Sequence, residues 1–135
     1  MRIVIDTNVV ISGFFFGGSP GRVIDAIIHG SVDACASYEI VNEYRDIFDE
    51  FLLRKQGHLE QGILDLFISK LDVIEPSTVV ELSRDPDDDK FIECAVDAKA
   101  LYIVSGDKDL LDLQQYDNVS IITATQFCEQ YLSDL

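Results

Sequence analysis

The stretch that decides the fold is Arg2-Ile3-Val4-Ile5-Asp6-Thr7-Asn8. Its three consecutive β-branched residues predict a strand that is buried on both faces, as strands of a parallel sheet are. The strand ends at the carboxylate of Asp6, and the polar triplet Asp6–Asn8 is followed at once by the apolar residues Val9–Ile11. A polar triplet between two apolar runs is typical of a functional strand end, so Asp6 is the first candidate site residue.

Strands and helices alternate along the rest of the chain. Apolar runs predict further short strands at residues 32–36, 72–75, 101–104 and 119–122. Apolar residues at helical spacing predict helices at residues 19–30, 37–52, 59–71, 84–96 and 125–132. This alternation predicts an α/β fold, namely a three-layer α/β/α sandwich with a mostly parallel central sheet of four to five strands. The length of 135 residues predicts one domain over residues 1–135.

The charge balance limits the partners that the chain can bind. It carries 25 acidic and 10 basic residues, which give a net charge of −15 at pH 7. A chain of this charge binds anionic polymers poorly unless divalent cations or a local basic patch intervene. Six basic side chains are candidates for phosphate contact: Arg22, Arg45, Arg54, Lys55, Lys90 and Lys108. The acidity suits a basic protein partner equally well.

The cysteines and the apolar segments indicate the compartment. Cys35, Cys94 and Cys128 lack the spacing of a metal site, and their odd number predicts reduced thiols in a cytoplasmic protein. Asp6 interrupts the apolar start too early for a signal peptide. No apolar run reaches the length of a membrane span, so we expect no membrane association.

Four carboxylates are predicted to meet at the carboxyl edge of the sheet, where ligands bind in folds of this class. Asp6 ends the first strand, and Asp107 follows the strand at residues 101–104. Glu43 borders the apolar stripe of its helix, and Asp89 lies near the start of the helix at residues 84–96. Such a cluster suits Mg²⁺ or Mn²⁺, which prefer oxygen ligands and activate a bound water.

Each acid also has a purely structural interpretation. Acidic residues at helix starts stabilise the helix, which accounts for Asp85, Asp87, Asp88 and Asp89. Glu43 fits an exposed helix position, and the segment Asp107–Asp109 fits a turn. His29 and His58 lie in loop-like surroundings, and neither is expected to act in catalysis.

The same positions resemble the motifs of the PIN domain family. Asp6–Asn8 looks like the opening motif of the family, and Glu43 matches its second acid. Asp89, followed by Ile92, resembles the third acidic motif, and residues 104–110 resemble the Thr/Ser-x-Asp-x-Asp segment. The resemblance extends from residue 1 to about residue 132, and the subgroup that it fits best is described as toxin components of bacterial toxin–antitoxin pairs.

This resemblance implies a metal-dependent endoribonuclease that uses Mg²⁺ or Mn²⁺, with RNA as substrate and a cognate antitoxin protein as partner. It implies catalytic and metal-binding roles for four residues: Asp6, Glu43, Asp89 and Asp107. Supporting roles fall to Asn8 and Ser105, which orient acids and waters, and to Asp109 as an additional ligand. Because three aspartates stand in a row, Asp88 is the alternative to Asp89.

Two other functions remain open. Aspartyl-phosphate phosphatases also carry an aspartate after their first strand, but they need a second one two residues later, where Asn8 stands. The strong acidity also fits a catalytically weak or inactive PIN-like module that binds protein or RNA.

Two apolar segments carry further predictions. The aromatic loop Phe14–Gly18 is predicted to pack in the core at the start of the second helix, with stacking on RNA bases or binding of a partner as the alternative. Residues of the two middle helices offer more apolar surface than a small sheet covers, which predicts a homodimer through Phe48, Phe51, Leu52, Leu59 and Ile63.

Overall fold

A computed structural model describes residues 1–54, 61–77, 79 and 86–132. The strands are β1 (Arg2–Ile5), β2 (Asp33–Ser37), β3 (Asp72–Ile74), β4 (Tyr102–Val104), β5 (Gln115–Tyr116) and β6 (Val119–Ile122). The helices are α1 (Thr7–Phe16), α2 (Gly18–Ile28), α3 (Tyr38–Arg54), α4 (Gln61–Ser69), α5 (Asp89–Asp97), α6 (Lys108–Leu113) and α7 (Ala124–Phe127). A 3₁₀ turn at Pro86–Asp88 precedes α5, and a π-helical turn at Cys128–Leu132 follows α7.

The described strands form one sheet in the order β3-β2-β1-β4-β6-β5. Every neighbouring pair is parallel except β5 and β6. The chain moves outward from β1 to β2 and β3, then returns to the other side of β1 with β4. This reversal lies between β1 and β4, and at such a reversal the loops after the two strands leave a crevice for a ligand. Asp6 and Ser105 follow these two strands directly.

The predicted fold class is confirmed, because the mostly parallel sheet is flanked by helices. The predicted number of four to five strands is wrong, since the described residues contain six. The additional strand is β5, two residues long and antiparallel to β6. The turn between them places Asp117 at a φ of 54°. A strand of two residues is too short to show any periodicity in the sequence.

Helices α1 and α6 were not predicted. The apolar run after Asp6 forms helix α1. Because this run contains few polar residues, it shows no amphipathic periodicity from which a helix could be predicted. Gly17, at a φ of 75°, separates α1 from α2. Helix α2 therefore begins at Gly18 rather than with Ser19 as its cap. The segment Asp107–Asp109, for which a turn was one interpretation, starts α6.

The aromatic residues at the end of α1 pack against α3 and α4. The Phe14 ring meets the rings of Phe48 and Phe67 edge-on, at centroid distances of 5.7 and 5.6 Å. The Phe15 ring lies 5.2 Å from that of Phe48. Core packing of Phe14 and Phe15 is thereby confirmed, although at the end of the unpredicted α1, while Phe16 is exposed.

Some predictions concern residues that the structure does not describe. His58, Lys55, Leu59 and Asp85 lie outside the described ranges. The three cysteines are buried and free, as expected. None of the described helices has both the length and the apolar character needed to cross a bilayer.

Candidate active site

Asp6 lies at the end of β1 and caps the start of α1. Its backbone N–H donates to the carbonyl of Val104 at 3.0 Å, which continues the pairing of β1 with β4. Its carboxylate accepts hydrogen bonds from the Asn8 backbone N–H at 3.5 Å and from Ser105 Oγ at 2.7 Å. Ser105 Oγ also accepts the Asp107 backbone N–H at 2.9 Å. Ser105, which is fully buried, thus connects the two strand ends that carry the acids.

The surroundings of Asp6 disfavour its negative charge. Burial raises the pKa of Asp6 above its ordinary value, and the nearby charges of Asp107 and Glu43 raise this pKa further. The hydrogen bonds from Ser105 and Asn8 act in the opposite direction but only in part. A cation placed next to Asp6 would compensate for the burial and for the repulsion together.

Glu43 is brought to the same edge by helix α3. The buried Tyr44 hydroxyl donates to the carbonyl of Ile5, which ties α3 to the end of β1. Glu43 Oε2 accepts a hydrogen bond from the Thr7 hydroxyl. Glu43 Oε1 lies 2.9 Å from the ammonium Nζ of Lys90, so both oxygens of this carboxylate are engaged by the protein.

Three further carboxylates converge beside Asp6. Asp88, Asp107 and Asp109 each offer an oxygen, and these oxygens lie within 4.8 Å of one another. Asp107 caps α6 by accepting the Asp109 backbone N–H at 2.7 Å. Asp88 is buried at the end of the 3₁₀ turn that leads into α5. Like charges this close repel strongly, and a divalent cation is the ordinary means of relieving that repulsion.

A cavity of about 210 Å³ connects Asp6 and Glu43 with two of these three carboxylates, Asp88 and Asp107. The described residues that line it are Asp6, Thr7, Asn8, Glu43, Ile47, Asp87, Asp88, Lys90, Phe91 and Asp107. The donors among them are carboxylate, amide and hydroxyl oxygens, which are the ligands that Mg²⁺ and Mn²⁺ prefer. The donor set therefore fits a divalent cation of this type.

The structure brings most of the predicted site residues together. Asp6, Asn8, Glu43 and Asp107 line the cavity, and Ser105 donates a hydrogen bond to Asp6. Asp109 belongs to the same cluster of carboxylates as Asp107. Of the two adjacent aspartates, Asp88 lines the cavity. Asp89 is the buried first residue of α5 and is not among the described lining residues.

Sequence reasoning assigned no role to Thr7 and did not foresee the pairing of Lys90 with Glu43. Thr7 belongs to the polar triplet Asp6–Asn8, and this position could have indicated that it has a role in the site. Lys90 was singled out only as a candidate for phosphate contact. A lysine directly after three aspartates indicates an ion pair, but the sequence does not show which acid it meets.

Two comparisons with known proteins found sequences similar to this chain. The model of a family described as "PIN domain" matches residues 2–109. An uncharacterized protein of Methanocaldococcus jannaschii is 33% identical over 143 aligned positions, which cover 97% of this chain and 92% of that protein. No solved structure matches this chain.

Proposed function

The chain belongs to the PIN domain family, and on this premise we propose that it is an endoribonuclease that hydrolyses RNA with Mg²⁺ or Mn²⁺. Members of this family are typically metal-dependent nucleases, which supports a hydrolase. The observation that carries the proposal is the convergence of carboxylate oxygens of Asp88, Asp107 and Asp109 within 4.8 Å of one another. Asp88 and Asp107 line the cavity that Asp6 also lines.

We propose that Asp6, Asp88 and Asp107 hold the ion, with Asp109 as an additional ligand and Glu43 completing the acidic site. Asp88 lines the cavity, which supports it as the third acid, and Asp89 is the alternative. When bound, the ion lowers the pKa of a coordinated water and stabilises the charge that develops on the phosphate.

The remaining residues position these acids. Ser105 holds Asp6 and the Asp107 backbone in one arrangement through its single hydroxyl. Thr7 holds Glu43 through the hydrogen bond to Oε2. Asn8 is exposed at the rim, where its amide is available to an RNA phosphate or a water. Hydrolysis would break one P–O bond of the backbone, with water supplying the oxygen to phosphorus and a proton to the leaving oxygen.

The choice of RNA rests on the family resemblance, since the charge of the chain does not favour any polyanion. Several described cations are already paired within the protein: Arg2 with Asp72, Arg45 with Asp65, and Arg54 with Glu50. Binding of RNA would therefore depend on the divalent cation more than on basic side chains.

The test of this proposal is cleavage of an end-labelled single-stranded RNA in Mn²⁺. We expect Asp6→Asn to lower the rate at least about 100-fold, since even residues that only support metal ligands are worth 10- to 100-fold. The matched control is Asp46→Asn, an exposed acid on α3, which should cleave like the wild type. Equal cleavage by the wild type and Asp6→Asn would contradict the proposal.

Two further measurements separate the alternative functions. RNA that binds without being cut in Mn²⁺ would favour a PIN-like binding module. Stable capture of beryllofluoride at Asp6 would favour a phosphatase, although Asn8 occupies the position where such an enzyme needs its acid.

We further propose that the chain is the toxin of a toxin–antitoxin pair in the cytoplasm. The net charge of −15 supports a basic antitoxin as partner, and the three free, buried thiols support a reducing compartment. Co-purification with a small basic protein encoded beside it would support this role. Purification without any such partner from its native cell would contradict it.

A homodimer is a separate proposal. Phe48 is fully buried in the core, and Phe51 and Leu52 are partly buried, so they offer less surface than expected. Leu53, Ile63 and Leu66 are instead exposed on α3 and α4, and they support pairing through these helices. A monomeric mass by light scattering at micromolar concentration would contradict a dimer.

A further inference from the structure

Lys90 places a positive charge inside the acidic cavity. Its side chain is only 9% exposed, which is rare for lysine. The ammonium lies 2.9 Å from Glu43 Oε1 and donates a hydrogen bond to the Asp87 carbonyl at 2.5 Å. It also lies 5.0 Å from the centre of the Phe91 ring. The charge is thus fixed by three neighbours rather than carried on a flexible surface side chain.

This ion pair divides the acidic residues into two sets. Glu43 has one oxygen hydrogen-bonded by Thr7 and the other paired with Lys90, so its charge is already neutralised. The carboxylates of Asp88, Asp107 and Asp109 form the other set, in which three negative charges meet. A divalent cation gains most beside the second set, because three carboxylates there offer oxygens within 4.8 Å of one another.

Sites that hold two divalent ions keep them about 3.5–4 Å apart and need carboxylates for both. A second ion bound by Glu43, at a ligand distance of about 2.1 Å from Oε1, would lie close to the Lys90 ammonium, which is 2.9 Å from the same oxygen. Two cations cannot share that oxygen without strong repulsion, and the buried lysine has three interactions to lose if it is displaced.

We infer that Lys90 occupies the place of a second divalent ion, so that the site binds a single Mg²⁺ or Mn²⁺. This inference rests on the proposed function, since it concerns the same metal centre. Lys90 is a positioning residue here. It holds Glu43 and supplies a permanent positive charge that a site made only of acids would have to take from solution.

The inference is tested by counting high-affinity Mn²⁺ ions per chain, from the electron paramagnetic resonance signal of free Mn²⁺ during titration. We expect one ion for the wild type and two for Lys90→Met, in which Glu43 becomes available. The double variant Lys90→Met/Glu43→Gln should again bind one ion, because the Glu43 carboxylate is then no longer available as a ligand. Lys70→Met, which removes an exposed lysine of the same charge, should keep one ion.

The variant Asp107→Asn should lose the high-affinity Mn²⁺ ion, and this loss identifies the ion as the one bound in the cavity. Two ions in the wild type, or one ion in a folded Lys90→Met, would overturn the inference. Should Lys90→Met fail to fold, the count for the wild type still decides between one ion and two, and Lys90→Arg should retain one.

RNA cleavage measured on the same samples separates this inference from the proposed function. Cleavage with two bound ions would overturn the inference alone. One bound ion without cleavage would overturn the nuclease and leave the ion count intact. A wild type that binds no Mn²⁺ would overturn both.

Discussion

At the scale of single residues, the buried hydroxyl group of Ser105 connects two acids of the site, Asp6 and Asp107. Ser105 donates to Asp6 Oδ2 at 2.7 Å and accepts the Asp107 backbone N–H at 2.9 Å. Because Ser105 is fully buried, removing its hydroxyl leaves two polar groups without this partner and without water in its place.

We therefore predict that Ser105→Ala lowers the free energy of unfolding by about 1–3 kcal/mol, measured by urea denaturation. The control is Ser69→Ala, whose hydroxyl bonds to the Leu66 carbonyl in an exposed position and should cost less than about 0.5 kcal/mol. The hydrogen bond from Ser105 lowers the pKa of Asp6, so its loss should move the acidic limb of the activity profile to higher pH. Equal stability of both variants would argue against this role for Ser105.

Asp6 is a residue whose charge opposes folding. Its pKa in the folded chain is raised above the ordinary value of 3.8, chiefly by burial. The folded state therefore binds the proton more tightly than the unfolded state. The stability that Asp6 contributes to the folded chain is therefore largest below pH 3.8, and it is lost as the pH rises through the raised pKa of Asp6 in the folded state.

The consequence is a prediction about Asp6→Asn in EDTA at neutral pH. This variant should have a larger free energy of unfolding than the wild type, because the buried charge is gone. Mn²⁺ should reverse the order, since at about 100 times the Kd it stabilises the wild type by about 2.7 kcal/mol and the variant far less. Chemical denaturation with and without Mn²⁺ measures both effects. A variant that is less stable in EDTA would contradict the assigned cause.

Part of the site could be predicted from single residues. Asp6 and Asp107 follow apolar strands, and parallel strands bring their carboxyl ends to one edge, where the structure puts both. The choice between Asp88 and Asp89 could not be made, because a 3₁₀ turn of three residues sets which aspartate meets the cavity. The pairing of Lys90 with Glu43 depends on how α3 and α5 approach each other, which local sequence does not encode.

At the scale of elements, helices α1 and α2 approach each other closely at Gly13. Gly13 of α1 lies against α2, and a Cβ at this position would be 2.9 Å from the Pro20 carbonyl oxygen and closer still to the Ile24 side chain. Since one of these neighbours is backbone, the two helices would have to move apart to admit a methyl group.

We predict that Gly13→Ala destabilises the chain by about 1–3 kcal/mol in urea denaturation. Gly62→Ala is the matched control, since a methyl group at this position of α4 would have no atom of the described residues within 4 Å. Because alanine favours a helix over glycine, this variant should gain up to about 1 kcal/mol. Effects of the same sign for both substitutions would contradict the close approach of α1 and α2.

Element prediction succeeded where the periodicity was long and amphipathic. Helix α3 begins one residue after Ser37, whose hydroxyl accepts the Ile40 backbone N–H at 3.2 Å as a cap. Helix α1 was missed because its residues are apolar on nearly every side, which resembles a buried strand or loop. Strand β5 was missed because its two residues are defined only by their pairing with β6.

At the scale of the whole molecule, the charge of −15 sets how RNA can be bound. Few cationic contacts to phosphate mean that few counterions are released on binding. We predict that kcat/KM for RNA cleavage in Mn²⁺ falls only slowly with added KCl, with a slope of about −1 to −2 in a plot of log kcat/KM against log salt concentration. A slope steeper than about −4 would indicate a basic RNA surface and contradict binding through the divalent cation.

The measurement that tests the central claim most directly is the anomalous diffraction of Mn²⁺ in crystals of the wild-type chain. We predict one peak in the cavity, within about 2.5 Å of carboxylate oxygens of Asp88 and Asp107 and adjacent to Asp6. Glu43 should still contact Lys90. A cavity without a peak at saturating Mn²⁺, or an ion bound only elsewhere on the acidic surface, would contradict the claim that these carboxylates form a catalytic metal site.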